Sequence, residues 1–171
     1  MTVSEYPIAF AGAEDYTPEI IFPALTRAAE ASGFTREMVA GRRVLLKPNL
    51  LMKRRPEEAA TTHPLVVEAV ARLLLDWGAS EVTIADSPGG PYLESGLRHL
   101  YEKTGMRAAA EASGAALNYD VSTRQVSLPE GKVLHSAQVI APAVESDGIL
   151  NLCKLKTHLF MSMTGAVKNH F

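Results

Sequence analysis

The sequence predicts an α/β fold, a mostly parallel sheet flanked by helices, on three observations. Short apolar runs (Val44-Leu45-Leu46, Val82-Thr83-Ile84-Ala85 and Ile149-Leu150-Asn151-Leu152) are separated by stretches long enough for helices of ten or more residues. Strands joined in that way pair in parallel. Glycine and proline, 12 and 10 among 171 residues, punctuate the chain regularly, so its elements are short and alternate. Apolar residues make up 47%, enough for a core, and no uninterrupted run approaches the roughly 20 residues of a membrane span. Residues 1–171 therefore read as a single α/β domain.

Residues 17–32 form the first predicted helix. Thr17 suits the N-cap, Pro18 the first helical position, and Glu19 and Glu30 a solvent face. Pro23 falls inside and is expected to kink or shorten it, and Gly33 to stop it. Val44-Leu45-Leu46 reads as a buried strand that ends at Pro48. Residues 52–62 carry Lys53, Arg54, Arg55 and Pro56 and read as an exposed loop.

Residues 64–77 give the clearest helix. Thr62 or His63 caps it, Pro64 occupies its first turn, and Leu65 through Trp77 supply a broad apolar face. Gly78 ends it. Val82-Thr83-Ile84-Ala85 is the next strand. Residues 93–113 follow as one or two helices with a break at Gly105, and residues 115–118 as a third strand. Val126-Ser127-Leu128 and Val133-Leu134 flank Pro129-Glu130-Gly131 as a hairpin. Residues 141–146 suit a helical turn, and Ile149-Leu150-Asn151-Leu152 a last buried strand. Residues 160–171 are ambiguous and read at most as a helix start.

Composition narrows the function classes. A single cysteine excludes an internal disulfide framework and an iron–sulfur or zinc site built from cysteines of this chain alone. The spacing of His63, His135 and His158 does not suggest a metal site. The opening residues lack the basic start and apolar stretch of a signal peptide, so the expected location is cytoplasmic. The net charge is −2 and no aromatic–basic stacking platform appears, which argues against nucleic acid. Charge is nevertheless uneven. Beyond Asp147 there is no acid, while Lys154, Lys156 and Lys168 remain with His158 and His170. A locally basic end suits an anionic ligand, although a solvated positive surface accounts for it as well.

In a parallel sheet, ligands bind beyond the carboxyl ends of the strands. Three buried strands here run directly into polar residues: Lys47-Pro48-Asn49, Asp86-Ser87-Pro88-Gly89-Gly90 and Cys153-Lys154-Leu155-Lys156-Thr157-His158. If the strands are parallel, these segments meet at one edge. The expected ligand set is Lys47, Asn49, Ser87, Lys154, Lys156, Thr157 and Lys168, with His158 and Asp86 as proton-transfer candidates for an anionic small molecule. Each has a plainer reading. Lys47 suits a strand-end lysine reaching for water. Asn49 and the Asp86-Ser87-Pro88-Gly89-Gly90 run are good turn chemistry. His63 is better placed to cap a helix, and Cys153 after Leu152 reads as an inert buried thiol. The glycine run is neither a Walker loop nor Gly-x-Gly-x-x-Gly.

Taken together, five segments resemble the bacterial and archaeal domain of unknown function 362 family. They are Val44-Leu45-Leu46-Lys47-Pro48-Asn49, Thr62-His63-Pro64, Ile84-Ala85-Asp86-Ser87-Pro88-Gly89-Gly90, the run from Asp147 to His158, and Met163-Thr164-Gly165-Ala166-Val167-Lys168-Asn169. The resemblance runs in order from about Val44 to the end. It implies an α/β domain in a redox setting, since many members carry 4Fe-4S ferredoxin modules. Any such cluster would sit on a missing region or on a ferredoxin-like partner. Cys153 stands where relatives often have proline, and His170 where leucine is common. The family's final stretch usually continues into more domain, so the chain is expected to be incomplete at its C-terminal end. Exposed sheet edges would then favour a homo-oligomer. Two readings follow: a redox-associated domain that binds an anionic small molecule, or a non-catalytic scaffold that docks a ferredoxin-like partner.

Overall fold

A computed structural model describes residues 7–170. Met1 to Tyr6 and Phe171, on which the expectations about a signal peptide and about the C-terminal end fall, lie outside them. The first helix, α1 (Pro18–Ala31), starts at Thr17, whose carbonyl accepts from Ile20 at 3.2 Å and Ile21 at 2.9 Å. Thr17 makes no side-chain cap. Pro23 does not shorten the helix: its ring faces solvent, and the carbonyl it deprives of a partner belongs to the exposed Glu19. Gly33 follows at φ +73°, a left-handed stop.

The central sheet is parallel, with β1 (Arg43–Pro48), β2 (Glu81–Ile84), β3 (Ala116–Leu117) and the later β6 (Gly148–Leu152) in the order β3-β2-β1-β6. Between β1 and β2 lies α2 (Pro64–Asp76), and between β2 and β3 lie α3 (Glu94–Lys103) and α4 (Met106–Ser113). The chain thus steps outward from β1 through β2 to β3, then crosses back to β6 on the other side of β1. That reversal makes β1 the point where the strand order switches, and open α/β sheets hold ligands beyond the carboxyl ends of strands near such a point. Gly105, at φ +76°, breaks α3 from α4 where the sequence predicts it. His63 caps α2, its Nδ1 accepting from the Leu65 N–H at 3.2 Å, and its ring stacks on Tyr16 with centroids 3.9 Å apart.

Strand residues alternate between two unequal cores. Val44, Leu46, Val82 and Ile84 point into the main one, with Val67, Val70, Leu74, Leu97, Leu100, Tyr101 and Met106 from the helices. Leu45 and Ala85 point to the other face, where Ile140 completes a small cluster. Ile140 ends β5 (Ser136–Ile140), which pairs with β4 (Thr123–Ser127) as an antiparallel ribbon, and Ala143 of the short α5 (Ala141–Glu145) packs beside it.

Three expectations need correcting. Val133 and Leu134 are not strand residues. The ribbon pairs Ser127 with Ser136, and Val133 and Leu134 lie exposed in the connection, where nothing packs on them. The loop over residues 52–62 contains a 3-10 turn, Pro56–Glu58, and its end is buried, with Thr61 and Thr62 closed under the sheet edge. The last central strand, β6, is an edge strand rather than a buried one, and its Ile149 is 42% exposed. The ambiguous tail folds as a hairpin, β7 (Lys156–His158) with β8 (Ser162–Thr164), and one helical turn, α6 (Ala166–Asn169).

Candidate functional site

The three polar segments do converge, because β1, β2 and β6 are parallel neighbours. A cavity of about 280 Å³ opens at their carboxyl ends, with Lys47, Asn49, Asp86, Ser87, His158 and Lys168 in its wall. Leu51, Pro88, Gly89 and Asn169 complete that wall. The Leu51, Pro88 and Gly89 side is shared with an apolar cavity of about 390 Å³ bounded also by Tyr92, Leu93 and Leu97.

The floor is an ion pair. Lys47 Nζ donates to Asp86 Oδ1, with the Lys47 side chain 13% exposed and that of Asp86 4% exposed. Two charges this deep are tolerated only as a pair, since either one alone would be left desolvated. Asp86 Oδ2 accepts from the Leu50 N–H at 2.8 Å, which clasps the chain leaving β1 against the chain leaving β2. Directly after that clasp Leu51 takes φ +46°, a left-handed conformation that strains a side chain with a Cβ.

Beside the ion pair runs a ladder of amides. Asn151 Nδ2 donates to the Ala166 carbonyl at 2.8 Å. Asn169 Nδ2 donates to Asn151 Oδ1 at 2.8 Å, and to the Lys47 and Pro48 carbonyls, both at 3.3 Å. Asn49 Nδ2 donates in turn to Asn169 Oδ1 at 2.8 Å. The Asn49 backbone is pinned as well. Its N–H donates to Thr62 Oγ1 at 2.8 Å, and that hydroxyl donates to the Leu152 carbonyl at 2.6 Å. These bonds tie α6, β6 and the loop before α2 to the end of β1.

The hairpin brings His158 to the wall. Its Nδ1 accepts from the backbone N–H groups of Phe160 at 3.2 Å and Met161 at 3.1 Å, which assigns the ring N–H to Nε2. Among the described residues Nε2 has no partner. Lys168 forms no ion pair among the described residues, whereas Lys47 is matched by Asp86. The cavity therefore carries one uncompensated positive charge.

Lys154, Lys156 and Thr157 are not in the wall. Lys156 is half-buried and donates to the Ala60 carbonyl at 2.5 Å. Burial, with repulsion from Lys154 second, holds its ammonium below the usual lysine range. The same two causes hold His63 below the usual imidazole range. Thr157 is exposed in the middle of β7, opposite Met163. Sequence reasoning missed Asn169, Asn151 and Thr62. A lone asparagine in the apolar run Ile149-Leu150-Asn151-Leu152 was the one signal that could have marked the ladder.

Among the described residues no three His, Cys, Asp or Glu side chains gather to hold a metal. A 4Fe-4S cluster takes four ligands, typically thiolates. The chain has only Cys153, so its residues do not fit one. No helix among the described residues is long and apolar enough to cross a membrane.

Comparison with known proteins places the chain. It is 33% identical over 131 residues to the "Thylakoid-associated protein sll1697" of Synechocystis sp. (strain ATCC 27184 / PCC 6803 / Kazusa), a match covering 77% of this chain and 39% of that protein. The chain thus spans about two fifths of the length of that relative. No solved structure matches. The family described as "Domain of unknown function (DUF362)" matches over residues 44–171, the stretch that holds every wall residue of the cavity. The chain belongs to the DUF362 family.

Proposed function

We propose that this domain binds a small anion at the carboxyl ends of β1 and β2, beneath the β7–β8 hairpin. The observation that carries the reading is the charge of the cavity wall: its carboxylate, Asp86, is already matched by Lys47, and Lys168 is left over. The His158 Nε2–H adds a donor, and Ser87 a hydroxyl. A cavity of about 280 Å³ suits a small organic anion.

The same geometry favours binding over proton transfer by the two residues first suspected. To act as a base at Nε2, His158 would need its proton on Nδ1, facing the Phe160 and Met161 N–H groups. Asp86 has one oxygen on Lys47 and the other on the Leu50 N–H, so it positions both. Lys47, Asn49, Ser87, Lys168 and His158 make up the proposed ligand set. Lys154 and Lys156 add positive potential from outside the wall.

Calorimetric titration of the protein with inorganic phosphate tests the site. Lys168→Ala should weaken binding about tenfold or more, the scale of one charge-assisted hydrogen bond. Equal affinity in both proteins overturns the assignment.

A second reading, docking of an acidic, ferredoxin-like partner, draws on the hairpin tip. Leu159 and Phe160 are 90% and 86% exposed there, in a stretch that contains no acid. Association with a ferredoxin that weakens steeply with salt and is lost in Phe160→Ser would support it, and association that is indifferent to both would remove it.

A further inference from the structure

The amide ladder identifies the kind of anion. The orientation of Asn169 is set by its three acceptors, the Lys47 and Pro48 carbonyls and Asn151 Oδ1. Asn151 is itself oriented by its bond to the Ala166 carbonyl. Asn169 must therefore present its oxygen to Asn49, and Asn49 must answer with Nδ2. Turning the Asn49 amide over would bring two carbonyl oxygens together. Every amide in the row is thus fixed from the Ala166 end, and the last one leaves its oxygen over.

That oxygen, Asn49 Oδ1, is buried and no described residue donates to it. Asn49 as a whole is 9% exposed, and it lines the cavity. A buried amide oxygen without a donor is costly, and it accepts only. A fully deprotonated anion, such as a simple carboxylate, does not satisfy it, because it has no proton to give. The cavity wall therefore makes two different demands: negative charge for Lys168 and the His158 Nε2–H, and a hydrogen-bond donor for Asn49 Oδ1.

We propose that the ligand is a small carboxylate or phosphate that carries a hydroxyl or protonated amine on a neighbouring carbon, and that Asn49 Oδ1 selects for that donor. The proposal rests on the anion site and adds its specificity. Hydroxylated and amino acids and hydroxylated phosphate esters share this chemistry. Their deoxy counterparts keep the charge and lose the donor. A site built to hydrogen-bond a ligand hydroxyl rejects the analogue lacking it, since the buried partner is then left unpaired.

Matched probes separate the two demands. Acetate, glycolate and glycine form one series, and propyl phosphate with glycerol 3-phosphate the other, each titrated calorimetrically into the full chain. The donor-bearing member of at least one series should bind tenfold or more tightly than its counterpart, and the series that responds distinguishes carboxylate from phosphate. Glycolate against glycine distinguishes hydroxyl from ammonium. Asn49→Ala should bring the members of the responding series to equal affinity. Equal affinity throughout both series in the unaltered protein overturns donor selection and leaves the anion site standing. Binding of none of the five overturns the anion site and this proposal with it. The comparison of probes on the unaltered protein decides the matter even if Asn49→Ala does not fold.

Discussion

The floor of the cavity and the hairpin above it are held in opposite ways. In the floor, Asp86, Asn49, Thr62 and Asn169 are polar residues buried to 9% exposure or less, and their bonds reach partners 13 to 122 residues away along the chain. In the hairpin, Leu155, Leu159, Phe160 and Met161 are apolar residues left in solvent, and His158 is oriented by two N–H groups two and three residues along. The floor is preorganised by tertiary structure and the hairpin by its own turn. A ligand seated between them thus meets one rigid wall and one wall whose position depends on few contacts.

The largest test of that contrast is Asp86→Leu. It leaves Lys47 charged and unpaired in the floor, and should lower stability by about 3–5 kcal/mol in urea denaturation. A loss below 1 kcal/mol would mean that the floor is wetter and looser than the geometry says.

The next concerns His63, which ties the loop beneath the floor to α2. Burial, with Lys154 second, depresses its imidazole, so the folded state holds it neutral. The unfolded chain then binds the proton more readily. Stability from this group is present above about pH 6.5 and falls as pH drops below it. Protonation would also remove the acceptor for the Leu65 N–H. His63→Asn keeps a capping side chain and should flatten the loss between pH 7.5 and 5.5, read as thermal midpoint against pH. An unchanged slope would assign the loss to another group.

The smallest effect belongs to the hairpin. Phe160→Ser removes an apolar side chain that is 86% exposed, and should move stability by no more than about 0.5 kcal/mol while raising solubility. A loss of 2 kcal/mol or more would show the tip to be packed, and the contrast between the regions would fail.

Much of the fold was legible because its signals are local. The break at Gly105, the His63 cap and the left-handed Gly33 each depend on a few neighbouring residues. The parallel sheet follows from apolar runs spaced by helices. The β7–β8 hairpin was illegible for the complementary reason. Its strands have three residues each, too few to show alternation, and Thr157 and Met163 are exposed where a buried face would have left a pattern. The start of β5 was misjudged because Val133 and Leu134 look like strand residues yet find nothing to pack against.

For the site the division is sharper. Chain order and residue type sufficed to bring Lys47, Asn49, Asp86, Ser87 and His158 to one end of a sheet, because parallel pairing carries every strand's exit to the same edge. They did not reveal that Lys47 and Asp86 neutralise each other, that Lys156 turns away to the Ala60 carbonyl, or that Asn169 joins Asn49 across 120 residues. Those facts belong to the tertiary structure alone. Hydrogen bonds and ion pairs act over about 3 Å, so which polar groups satisfy one another, and which are left without a donor, is settled only when the packed elements set those distances.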